Sequence, residues 1–113
     1  MKKQIKQSIT IHIPIYYLNS IWKGDFKPLP ANQIYNLVID YPFGGERKHI
    51  FPIKTGKNGL GLIAILSKIG KSYNKIYENP EENGVFGHDI TDLNLSGIKV
   101  NHKSKKITID VDS

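Results

Sequence analysis

Residues 8–17 alternate between apolar and polar. Ile9, Ile11, Ile13 and Ile15 fall on one side, and Ser8, Thr10, His12 and Pro14 on the other. A period of two carried by β-branched side chains predicts a half-buried strand. Pro14 has no amide hydrogen for a ladder, which puts it at an edge or at the strand's end. Residues 18–33 hold Gly24, Pro28 and Pro30 and read as a loop, with Trp22 and Phe26 pinning it to the core. Residues 34–41 predict a second strand and His49–Ile53 a third, with Gly44-Gly45 between them as a hairpin signal.

From Asn58 to Asn79 the apolar period lengthens to about 3.6. Leu62, Ile65, Leu66, Ile69, Tyr73, Ile76 and Tyr77 form one stripe, and Lys68, Lys71 and Lys75 lie on another side. Asn58 is the expected N-cap and Pro80 the expected stop. Residues 80–91 read as a polar loop. Alternation returns over 92–101 and 105–111, around a turn at Asn101-His102-Lys103-Ser104. Leu95 and Ile98 are out of phase by one residue, and Gly97 is the natural place for a β-bulge. One helix among strands predicts an α+β fold: an antiparallel sheet of about five strands packed against one long helix, as a single domain over 1–113.

Composition is that of an ordinary globular chain. Of 113 residues, 39% are hydrophobic and 23% charged, which argues against wholesale disorder. There is no cysteine, so a disulfide scaffold, a thiol nucleophile and cysteine-based zinc sites are excluded. Met1-Lys2-Lys3-Gln4-Ile5-Lys6 begins as a signal peptide does, but Thr10, His12 and Pro14 break the apolar run that should follow. The expectation is a cytoplasmic protein without a membrane span.

Charge changes the picture more. The formal net charge is +6, but it is segregated. Residues 1–77 carry twelve basic and three acidic side chains, whereas residues 78–98 carry five acidic and no basic ones. The acidic segment is Glu78, Glu81, Glu82, Asp89 and Asp92. It reads either as a solvated loop that offsets self-repulsion or as a docking face for a basic protein. The lysine clusters (Lys2, Lys3, Lys6; Lys68, Lys71, Lys75; Lys103, Lys105, Lys106) could bind a polyanion. Only Arg47 among the cations is arginine, however, and no aromatic residues are interleaved as stacking platforms.

Catalytic motifs are weak. Gly70-Lys71-Ser72 resembles the end of a phosphate loop, but Ile65 stands where its first glycine should be, and the triplet lies inside the helix. Gly56-Lys57-Asn58-Gly59-Leu60-Gly61 opens a helix without dinucleotide-binding spacing and reads as a cap. His12, His49, His88 and His102 fall in no metal-binding spacing, so no metal and no cofactor are expected. His88, Asp89 and Asp92 form the densest acid–base group. They fit a general base, a turn in which the aspartates cap backbone amides, or a partner contact.

The stretch Gly84-Val85-Phe86-Gly87-His88-Asp89-Ile90-Thr91-Asp92-Leu93-Asn94-Leu95-Ser96-Gly97-Ile98, followed by Lys106-Ile107-Thr108-Ile109-Asp110, resembles the closing part of small bacterial immunity proteins. These accompany polymorphic or contact-dependent growth-inhibition toxins. The resemblance covers roughly residues 60–111. It implies a non-catalytic binding protein that occludes a cognate toxin domain in the cytoplasm. Immunity proteins against basic nuclease toxins are often acidic overall, while this chain is basic. Either the acidic segment docks, or the toxin is not basic. The expected contact residues are Glu78, Glu81, Glu82, His88, Asp89 and Asp92. The alternative is a small basic nucleic-acid-binding module of bacterial or phage origin.

Overall fold

The computed structural model of the chain describes residues 6–15, 27–43 and 47–113. Trp22, Phe26 and the Gly44-Gly45 hairpin signal lie outside the described residues. Within them the elements are β1 (Lys6–Pro14), β2 (Ile34–Ile39), β3 (His49–Lys54), α1 (Leu62–Ile76), a 3-10 turn at Ile90–Asp92, β4 (Asn94–Asn101) and β5 (Lys106–Asp112). The strands form one sheet in the order β1-β4-β5-β2-β3. The α+β class is as expected.

The sheet is not wholly antiparallel. β2 pairs with β5 in parallel, Asn36 to Val38 against Lys106 to Thr108, while the other neighbours are antiparallel. The cause is the path of the helix. α1 carries the chain from the β3 edge across one face to β4, so β3 and β4 run the same way and the two hairpins must join side by side in parallel. Alternation along a strand sets which face a side chain takes, not the direction of its neighbour.

Both edge strands carry a proline. Pro14 ends β1 opposite Asn94, and Pro52 lies in β3. The predicted bulge is present: the β4–β5 register shifts between Leu95 and Gly97. The extra residue keeps Leu95, Ile98 and Val100 all buried, where strict alternation would have turned Ile98 outward. Asn101 closes the β4–β5 turn, its side-chain oxygen accepting from the Lys103 and Ser104 amides.

α1 lays Leu62, Ile65, Leu66, Ile69, Tyr73 and Ile76 on the sheet and leaves Lys68, Lys71 and Lys75 exposed. Their partners across the layer include Tyr35, Leu37, Ile39, Leu95, Ile98 and Ile107, all fully buried. Ser72, from the phosphate-loop-like triplet, donates to the Lys68 carbonyl one turn back. The helix starts later than expected. Gly61 is the N-cap and makes no side-chain capping bond, while Asn58 lies in the turn before it. The glycines of 56–61 serve a backbone contact instead. Leu29 and Leu60 exchange hydrogen bonds at 2.8 and 3.1 Å. A side chain on Gly59 (φ +76°) would collide with the Leu29 carbonyl. Among the described residues no helix is long and apolar enough to cross a membrane.

Candidate docking surface

α1 ends at Ile76 with Tyr77 as its C-cap, three residues before Pro80, and the chain enters the acidic segment. Asn83 folds back beneath it and donates to the Ile76 and Asn79 carbonyls at 2.9 and 3.0 Å, satisfying orphan groups at the helix C-terminus. The segment is also tied to the β2–β3 connection. Arg47 donates to the Glu82 carbonyl at 2.7 Å, His49 Nε2 donates to the Asn83 carbonyl at 3.0 Å, and Val85 forms a bridge with Phe43. Further along, the Tyr77 hydroxyl donates to the His88 carbonyl at 3.1 Å. The Asp89 carboxylate caps the 3-10 turn by accepting from the Thr91 amide. Residues 77–92 are therefore held from both ends by side chains that bind main chain, which leaves this loop little conformational freedom to lose.

Glu78, Glu81, Glu82, Asp89 and Asp92 are all exposed. Among the described residues the one ion pair is Lys99–Asp110, so these five carboxylates have no cation partner there. Arg47 reaches the main chain of Glu82, not its carboxylate. Between the carboxylates runs a shallow groove of about 650 Å³ lined by Tyr77, Pro80, Glu81, Val85, Phe86, Gly87, His88 and Asp89. Phe86 stands 65% exposed beside buried Val85. Sequence reasoning missed Phe86; the signal was an aromatic residue between two glycines in a polar loop. Arg47, His49 and Asn83, the residues that fasten the loop, gave no signal at all.

His88 and Asp89 do not form a hydrogen-bonded acid–base pair. The Asp89 carboxylate is engaged in capping, and His88 Nδ1 faces Ser113 Oγ at 3.5 Å. His88 also meets Tyr41 edge-on, with ring centroids 5.6 Å apart. Of the other histidines, His102 lies at the far turn, where its Nδ1 shares a 2.8 Å hydrogen bond with the Tyr35 hydroxyl. Burial and the charge of Lys105 hold His102 below its ordinary pKa. Among the described residues no three His, Asp or Glu side chains gather as a metal site.

Burial pushes the Tyr77 phenol up to about 12, and Asp89, Tyr41 and Asp92 push the same way. The neutral phenol is thus favoured in the folded protein. Its contribution to stability is complete below the ordinary tyrosine value of 10.0 and is lost as pH rises toward 12. In a spectrophotometric titration of tyrosinate absorbance, Tyr77→Phe should shrink the late alkaline phase, and Asp89→Asn should move it to lower pH. A late phase indifferent to both changes would contradict this placement of Tyr77.

No protein family, curated protein or solved structure matches this chain.

Proposed function

We propose that this chain is a toxin-neutralising immunity protein that acts in the cytoplasm by occluding a cognate toxin domain with its 77–92 loop. The observation that carries the reading is Phe86, an exposed aromatic set in a fastened loop among carboxylates that have no cation partner among the described residues. Aromatic anchors ringed by polar contacts are where interface energy concentrates. The surrounding negative charge speeds encounter with a basic surface and fixes register. Glu81, Asp89 and His88 border the groove directly, and Glu78, Glu82 and Asp92 extend its field. Such a protein breaks no bonds itself.

The reading requires a toxin domain encoded in an adjacent reading frame, and the test measures the binding of that domain to this chain. The triple variant Glu81→Lys/Glu82→Lys/Asp89→Lys should slow association about tenfold or more at low ionic strength and flatten its salt dependence. Phe86→Ala should instead raise the dissociation rate, by about 30-fold for a contact worth about 2 kcal/mol. Both variants change exposed side chains, and both should retain the fold by circular dichroism. Full protection of toxin-expressing cells by the triple variant would remove the docking assignment. Retardation of an oligonucleotide at low salt, lost on adding salt, would favour the nucleic-acid reading instead.

A further inference from the structure

β3 closes one side of the sheet, and among the described residues β2 is its one strand neighbour. The Thr55 amide donates to the Gln33 carbonyl, and the pairing register continues from there as Tyr35 with Ile53, Leu37 with Phe51 and Ile39 with His49. Antiparallel ladders alternate, so these odd-numbered residues of β3 bond inward to β2. The Asn36 amide confirms the phase, because it points the other way, to Lys105 on the β5 side. The amides of Ile50 and Lys54 and the carbonyls of Ile50, Pro52 and Lys54 therefore face outward. Pro52 stands where its missing donor costs no bond to β2.

Beside this edge lies α1. Two concavities of about 290 and 230 Å³ run between β3 and the helix. Lys75 borders both, and Lys68 and Lys71 border the second. On the opposite side of the strand no described element covers the sheet face, where Ile34 and Ile50 stand at least half exposed beside exposed Asn36 and Lys54. A strand laid along β3 would alternate its own side chains between these two environments.

We infer that the β3 edge binds an extended polypeptide segment of a partner protein, added as a further strand, with acidic side chains toward Lys68, Lys71 and Lys75 and apolar side chains toward Ile50. Charge decides the occupant. A second copy of this chain would lay lysine rows against each other, whereas an alternating acidic–apolar segment answers both faces. Glu78 at the His49 end of the strip sets the register, with the acidic positions opposite Lys68–Lys75. This surface abuts the 77–92 loop at Glu78, Asn79 and Asn83 but shares no lining residue with its groove, and its peptide test uses no toxin, so failure of either reading leaves the other standing.

The experiment measures anisotropy of a labelled peptide of about seven residues alternating Glu and Val against the whole chain. Lys68→Glu/Lys71→Glu/Lys75→Glu should weaken binding at least tenfold. Pro52→Val restores the missing outward donor and should tighten it about fivefold, while Ile50→Pro removes a donor and should weaken it by a similar factor. Methylating alternate peptide amides should abolish binding, and hydrogen exchange at Ile50 and Lys54 should slow in the complex. No binding at low salt would overturn the inference. So would equal affinity for the methylated peptide, or for an oligothymidylate of the same charge, since either would mark a polyanion surface with no strand addition.

Discussion

Tyr73→Ala is expected to destabilise the protein by about 4 kcal/mol, within the range for emptying a buried aromatic site. Tyr73 is fully buried on the inner face of α1, and its hydroxyl donates to the Tyr41 carbonyl at 2.7 Å. The substitution removes the ring, opens a cavity between helix and sheet, and strands a half-buried carbonyl. For a chain of this length the loss lowers the melting temperature by about 15 °C. Tyr73→Phe keeps the ring and loses the hydrogen bond, so it should cost about 1 kcal/mol. Urea denaturation measures both, with an unchanged slope showing that native compactness is kept. Equal losses for the two variants would mean that the hydroxyl, not the packed ring, is what matters. The same burial holds the Tyr73 phenol far above its ordinary pKa, so alkali attacks this contact only at extreme pH.

Periodicity made most of the elements legible. The α1 stripe is the buried stripe, and β2, β3 and the β4–β5 hairpin fall where alternation put them. The phase break between Leu95 and Ile98 even located the register shift, because a core that needs both residues inward leaves no other solution. The helix start is hidden because Asn58 has capping chemistry, while the Leu29–Leu60 bridge, entered through the left-handed turn at Gly59, delays the helix to Gly61. The candidate surface was legible as charge and illegible as shape. Five carboxylates in 78–92 announce themselves by composition. The Asp89 cap on the Thr91 amide joins residues two apart and is one of the roles the local sequence offers, whereas Arg47 and His49 fasten the loop through main-chain carbonyls 35 and 34 residues away, which no local pattern marks.

The topology itself yields the largest expected effect, because among the described residues the two hairpins join within the sheet through one short parallel ladder, that of β2 and β5. Ile107 sits in that ladder opposite Leu37, and both are fully buried. Ile107→Asp places a carboxylate with no partner beneath the joint. Its cost should exceed about 5 kcal/mol, comparable with the whole stability of a domain this size, so the variant should be largely unfolded at neutral pH. Ile107→Ala, which only empties space, should cost about 3 kcal/mol and leave a folded protein. The neighbouring residue Thr108 points to the uncovered face, and Thr108→Asp should change stability by no more than about 0.5 kcal/mol. Acid provides a second check. Burial raises the folded-state pKa of an aspartate at 107 above its unfolded value of about 3.9, so its penalty grows as pH rises through that interval and is smallest in acid. Stability of Ile107→Asp relative to the parent should therefore recover as pH falls toward 4. A penalty independent of pH, or shared equally by Thr108→Asp, would mean that the carboxylate is not taken into the core and that the ladder is not what joins the hairpins.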